Sequence, residues 1–174
     1  TVSWLLEGEV RHHDSLGLTG LARPGGLNLM TAGRGIAHSE ETPAENAGRL
    51  WGVQLWVAMP GAAREAEPAF EHHATVPSLE LEGGLASVIL GRLAGVTAPG
   101  RIYSPLVGAE LRARSAGRLA VPLERGFEHA LVLLEGECRL DGQKLVGDTL
   151  YYLGSGRGDL VLAAERAGLR ALLL

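Results

Sequence analysis

Between Ala130 and Leu140 the apolar side chains recur at alternate positions. Ala130, Val132, Leu134, Cys138 and Leu140 share one face, and Glu135, Glu137 and Arg139 take the other. A period of two is the signature of a half-buried β-strand. The same parity carried to the start of the chain turns Val2, Trp4, Leu6, Val10 and His12 inward. Further strands are expected over 50–59 (LWGVQLWVAM), 85–95 (LASVILGRLAG) and 159–165 (DLVLAAE). No stretch sustains a helical period; Arg64 to Glu67 is too short and runs into Pro68. The expected fold class is all-β.

The pattern also repeats. WLLEGEV at 4–10 returns as LLEGECRL at 133–140, with LLEGE identical in both copies. LNLMTAGRG (27–35) is matched by TLYYLGSGRG (149–158) in the same order. Two matched strand-turn units indicate an internal duplication of a β-domain. The expected division is an N-terminal domain over 1–65 that carries the chemistry, followed by a crossover and a C-terminal domain over 66–174. The crossover itself is read over 60–77 (PGAAREAEPAFEHHATVP). In the second copy Arg125-Gly126-Phe127-Glu128 stands just ahead of the repeated strand. Its counterpart in the first copy would precede Thr1, so the first domain is expected to lack a strand or loop at that edge.

Composition narrows the function classes. Of 174 residues 46% are hydrophobic, enough for a sizeable core, and 25 glycines with 8 prolines suit many tight turns. Lys and Arg number 16 against 20 Asp and Glu, and Lys144 is the single lysine. With no basic stripe, direct binding of nucleic acid is not expected. Cys138 is the one cysteine, so no internal disulfide can form, which agrees with a reducing cytoplasm. It falls on the apolar face and is read as a small core residue. No apolar run approaches the roughly 18 residues of a membrane-spanning helix.

The chemistry concentrates in GIAHSEE, residues 35–41. On a strand, His38 and Glu40 point to one face and Ser39 and Glu41 to the other. Imidazole and carboxylate at i and i+2 can reach one cation, and that donor pair suits Fe(II), Mn, Ni, Co or Zn. Gly33 and Gly35 permit a sharp turn that would aim the pair into a barrel interior. The bland alternative is a His and a Glu on a solvated strand edge. The second copy keeps the turn as GSGRG but continues as DLVLAA, so one copy is expected to carry a site and the other to be structural. His12, on inward parity, either supports the ligands and lines a substrate pocket or is a hydrogen-bonded core residue. His13, Glu41 and His129 are assigned to outward faces. His72 and His73 are neighbours on one strand, so they face apart and cannot chelate together. No G-x-S-x-G or Ser-His-Asp pattern occurs, and the Gly-rich turns lead into no Lys-Ser/Thr helix start.

EGEVRHHDSLG (7–17), PGGLNLMTAGRGIAHSEET (24–42) and GVQLWVAMP (52–60) together resemble the pirins, a family of the cupin superfamily. The resemblance runs along nearly the whole chain. It implies a bicupin: two antiparallel, jelly-roll-like β-barrels, with one metal in the N-terminal barrel. It implies His38 and Glu40 as metal ligands, Fe(II) as the metal with other divalent transition ions as alternatives, and a small aromatic substrate or ligand. The activity implied is that of a quercetin 2,3-dioxygenase, opening a flavonol, with Glu40 as the catalytic proton acceptor. Two alternatives stand beside it: a metal-responsive, protein-binding co-regulator of transcription, as the mammalian member is, or a non-catalytic bicupin holding a small ligand. The family completes its site with a His-x-His pair in a pattern like HPHRGFET, and Thr1 matches the final Thr. Two further histidine ligands are therefore expected ahead of Thr1, and a Gly- and Pro-rich tail after Leu174. On that reading the chain is truncated at both ends and holds metal weakly or not at all.

Overall fold

The computed structural model describes residues 1–46 and 48–174, and every regular element among them is a β-strand. No helix is long and apolar enough to cross a membrane among the described residues. The chain divides into two compact units, Thr1–Val76 with Pro99–Ser104, and Pro77–Ala98 with Pro105–Leu174.

The first unit contains β1 (Val2–Glu7), β2 (Val10–Asp14), β3 (Thr19–Ala22), β4 (Leu27–Thr31), β5 (His38–Glu41), β6 (Trp51–Leu55) and β7 (Ala69–His73). They form two antiparallel sheets, ordered β6-β1-β4-β7 and β3-β2-β5. Val2, Trp4, Leu27 and Leu29 are buried on one face of the larger sheet, and Met30 is buried on the other, opposite Phe70. Phe70 of β7 stacks on His12 of β2 and so joins one sheet to the other. The expected boundary at 65/66 passes through this unit, and the crossover read over 60–77 ends at the division between Val76 and Pro77. β7 lies within that span and is hydrogen-bonded to β4 from Leu27↔His73 to Thr31↔Ala69.

The second unit contains β8 (Ser78–Leu81), β9 (Gly84–Leu93), β10 (Val96–Thr97), β11 (Val107–Ala113), β12 (Gly117–Pro122), β13 (His129–Glu135), β14 (Cys138–Leu140), β15 (Gln143–Lys144), β16 (Leu150–Gly154), β17 (Asp159–Ala164) and β18 (Arg170–Leu173). Its sheets are ordered β10-β9-β11-β18-β13-β16, with β8 on β9, and β12-β17-β14-β15. One core cluster, including Leu111, Leu131 and Leu173 from the first sheet and Leu119, Leu160 and Leu162 from the second, is buried where the two pack. Apolar side chains on alternate positions of both sheets meet in the jelly-roll manner. The strand orders close into no barrel among the described residues.

The duplication is visible in the pairing. β1 pairs with β4 and β6, and β13 pairs with β16 and β18. β2 pairs with β3 and β5, and β14 pairs with β15 and β17. The LLEGE turn is the same in both copies, with Gly8 at φ 84 and Gly136 at φ 87. At Gly8 a Cβ would stand 2.3 Å from the Arg49 carbonyl oxygen, so the close approach excludes a side chain as well.

One parity is corrected. β13 buries His129, Leu131 and Leu133, whereas the alternation had turned Ala130, Val132 and Leu134 inward. β14 buries Cys138 and Leu140 as expected. The left-handed residue at Gly136 and the register shift between Leu133 and Glu135 reverse the face between the two strands. A one-residue irregularity sends every side chain beyond it to the other side. In β1, Val2 through Leu5 are all buried, so the period of two fades there; Leu6 and Val10 are half-buried.

Candidate metal centre

The turn that leads into β5 is pinned by backbone. The Arg34 amide donates to the Ala66 carbonyl at 3.0 Å, and Gly33 lies against the same carbonyl with φ 52. β5 then pairs with β2 in the register Arg11↔Glu41, His12↔Glu40, His13↔Ser39 and Asp14↔His38. Directly opposed residues project from the same side of a sheet. His12, Asp14, His38 and Glu40 therefore share one face, and His13, Ser39 and Glu41 share the other.

Within that cluster His12 is the fixed point. It is 1% exposed, and its ring lies 3.9 Å from the Phe70 ring at an interplanar angle of 2°. It also stacks on His38 at 5.6 Å and 24°. Gly20, opposite His12 on β3, leaves the room that Phe70 fills: a Cβ there would lie 2.6 Å from the Phe70 ring. His12 Nε2 is 3.0 Å from Asp14 Oδ2, and both side chains are out of solvent. Asp14 Oδ1 accepts from the amides of Leu16 at 2.9 Å and Leu18 at 3.1 Å. Burial pushes the Asp14 carboxyl upward, but the His12 hydrogen bond, the two amides and the His12 charge outweigh it. The net effect holds the group below the ordinary carboxylate value. Glu40 is steadied from the larger sheet, where Gln54 Nε2 donates to Glu40 Oε2 at 2.8 Å and to Ser3 Oγ at 3.2 Å.

The structure corrects the expected burial of the pair. His38 and Glu40 are both exposed, as is the whole of β5. Among the described residues β5 has a strand on one side only, β2, whereas its counterpart β17 lies between β12 and β14. His129 is corrected in the other direction, being 2% exposed rather than outward-facing. Other assignments agree with the structure. His13 and Glu41 are exposed, with partners in Thr19 and Ser39. His72 turns to Asn28 at 2.7 Å and His73 to Glu71 at 3.2 Å, so the adjacent pair faces apart. Cys138 is fully buried and free.

Asp14, Gln54 and Phe70 escaped the reading of the sequence. Asp14 carried a signal, because His12-x-Asp14 has the same strand spacing as His38-x-Glu40. Gln54 and Phe70 arrive from distant strands and carried none.

The donor chemistry of His38 and Glu40 fits a divalent transition ion, one imidazole and one carboxylate on a single strand face. In number the set is short. Among the described residues no group of three or more His, Cys, Asp or Glu is gathered to hold a metal ion. This stretch thus brings two donors, one of them held by Gln54 and the other stacked on a buried, Asp-anchored imidazole.

Comparison with known proteins agrees with the sheet topology. The Pirin family model matches residues 1–57. A Pseudomonas aeruginosa protein provisionally named a quercetin 2,3-dioxygenase is 43% identical over 175 residues, covering 100% of this chain and 55% of the relative. A pirin-like protein of Caulobacter vibrioides is 36% identical over 172 residues, covering 96% of this chain and 59% of its own length. The chain thus spans little more than half of either relative. The crystal structure of a quercetin 2,3-dioxygenase from Acinetobacter baumannii superposes with a TM-score of 0.93 at 35% identity, over 99% of this chain and 57% of that one.

Proposed function

Because the chain belongs to the pirin family, we propose that it forms part of a metal-dependent dioxygenase that opens a flavonol such as quercetin, with His38 and Glu40 as metal ligands and Fe(II) as the metal. The observation that carries this reading is the register of β2 and β5, which gathers His38, Glu40, His12 and Asp14 on one face. The likeness to proteins named for quercetin 2,3-dioxygenation supplies the substrate class, a small planar aromatic molecule.

An ion held there would act as a Lewis acid toward a substrate hydroxyl and supply the redox chemistry that dioxygen requires. The remaining roles belong to the chain itself. Glu40 accepts the proton of the flavonol hydroxyl through its exposed carboxylate. Gln54 holds Glu40 Oε2 and leaves the other oxygen available. His12 fixes the plane of His38 by stacking, and Asp14 fixes His12 by accepting from its Nε2.

The test is quercetin consumption in air, followed by loss of its absorbance, with protein loaded anaerobically with Fe(II) and with metal-free protein. The proposal expects turnover that requires metal and falls at least about a hundredfold in Glu40→Gln, the range of a lost general base. His13→Ala, on the opposite face, should keep the wild-type rate. Turnover that is equal without metal, or unchanged in Glu40→Gln, contradicts the assignment.

A further inference from the structure

Strand β16 stands at one end of the larger sheet of the second unit, and among the described residues it pairs with β13 alone. Its counterpart in the first copy, β4, has a neighbour on both sides, β1 and β7. The second copy thus leaves open an edge that the first copy covers. Edge strands are commonly guarded by a charge, a proline or a bulge. LYYLG carries no charge and no proline. The one register shift against β13 falls between Tyr152 and Gly154, past the stretch from Leu150 to Tyr152. Leu150 and Tyr152 are 59% and 65% exposed.

The far side of β13 fixes where the backbone groups of this edge point. Ala130 exchanges both of its main-chain hydrogen bonds with Leu174, at 2.8 and 2.9 Å, so its N–H and C=O face away from β16. Ala130↔Tyr152 is therefore a pair without mutual hydrogen bonds, Leu131↔Tyr151 is a bonded pair, and Val132↔Leu150 is again unbonded. The N–H and C=O of Leu150 and Tyr152 accordingly point out from the sheet, where no backbone partner meets them among the described residues.

That spacing makes the strand its own complement. In an antiparallel pairing about a two-fold axis at Tyr151, Leu150 of one copy faces Tyr152 of the other, and the reverse. Both facing pairs exchange two main-chain hydrogen bonds, and each sets an aliphatic side chain beside an aromatic one on the same face. We propose that two copies of this chain associate through β16 in this register, which continues the larger sheet of the second unit from one copy into the other. None of the residues of the candidate metal centre takes part, and no metal is required.

The test is sedimentation equilibrium of the 174-residue chain, with amide hydrogen exchange read by NMR at the same concentrations. One strand pair is a small interface, so a weak dimer is expected, with a Kd above about 1 μM. The average mass should climb from 18.3 kDa toward twice that value as the protein is concentrated. The Leu150 and Tyr152 amides should slow about tenfold where nine chains in ten are paired, while the Tyr151 amide, already bonded to Leu131, should change little. Leu150→Lys sets a charge on the open edge at an exposed position and should weaken dimerisation at least about tenfold. A chain that stays monomeric up to about 1 mM overturns the proposal. So does a dimer that Leu150→Lys leaves intact, or one in which both amides exchange as fast as in the monomer. Slow exchange of both amides in the dilute monomer would show the edge occupied within one chain, and is equally fatal. The mass and exchange readings use the wild-type chain alone and stand even where Leu150→Lys does not fold.

Discussion

Asp14 holds together more of the candidate centre than its size suggests. It accepts from His12 Nε2 and from two backbone amides in the turn that follows β2. Asp14→Ala would leave the buried His12 Nε2 unpartnered, and an unsatisfied buried donor costs about 1–3 kcal/mol. Urea denaturation should show a loss of that size for Asp14→Ala and a smaller one for Asp14→Asn, which keeps an acceptor. Because the Asp14 carboxyl is held below its ordinary value, its contribution is present at neutral pH and is lost only as acid takes the pH down through the folded-state value. Cys138 behaves oppositely. Burial, with the Glu165 charge assisting, raises its thiol from 9.0 to about 11. A raised acid favours the folded state while protonated, so stability should fall as pH rises from about 9 to about 11. Iodoacetamide at pH 8 should leave the folded chain unlabelled and label it in urea, and Cys138→Ala should flatten the alkaline slope. Rapid labelling of the folded protein would contradict the burial. At this scale the sequence disclosed single residues well: His12 inside, Cys138 inside, His13 and Glu41 outside. It disclosed partners poorly, because Gln54 and Phe70 reach the cluster through pairings between distant strands.

Elements show where local pattern stops being informative. Alternation placed strands near β9, β13 and β17, and the Gly-rich turn ahead of β5 was legible from TAGRG alone. The face of β13 was misread because Gly136 and a register shift intervene, and neither leaves a trace in hydrophobic periodicity. The burial of His38 and Glu40 was misread because strand exposure depends on what lies beside the strand. The four residues of β5 are exposed, with β2 alone beside them among the described residues, while in β17 Leu160, Leu162 and Ala164 are buried between two neighbours. The turn itself makes a graded prediction. At Gly33 a Cβ would stand 1.9 Å from the Ala66 carbonyl oxygen, and φ is 52. At Gly35, with φ 132, nothing lies within 4 Å. Gly33→Ala therefore combines backbone strain with a clash against main chain, while Gly35→Ala meets strain alone. Thermal denaturation should rank Gly33→Ala as the more damaging, by about 1 kcal/mol or more. Equal losses would mean that the turn does not rest on the Ala66 carbonyl.

Across the whole chain the duplicated pairing lets one scaffold carry a polar strand face in one copy and core packing in the other. Strands β1 to β6 and β13 to β18 repeat the same hydrogen-bonding scheme, yet the residues after the shared G-R-G turn are IAHSEE in the first copy and DLVLAA in the second. Leu160 and Leu162 go to the core, and His38 and Glu40 go to an open face. The repeat and the fold class were readable because LLEGE and the paired turns recur in order. The end of the 60–77 stretch coincides with the division at Val76/Pro77, while β7 inside it returns to the first sheet, a long-range pairing no local signal announces. The central claim is that metal belongs to the first copy through His38 and Glu40. Anaerobic calorimetric titration of Fe(II) into the wild-type chain, His38→Ala and Glu40→Ala tests it most directly. The account predicts no more than one ion per chain, with either substitution weakening binding at least about tenfold, the smallest effect expected even for residues that merely support a ligand. Equal affinity in all three proteins would contradict it.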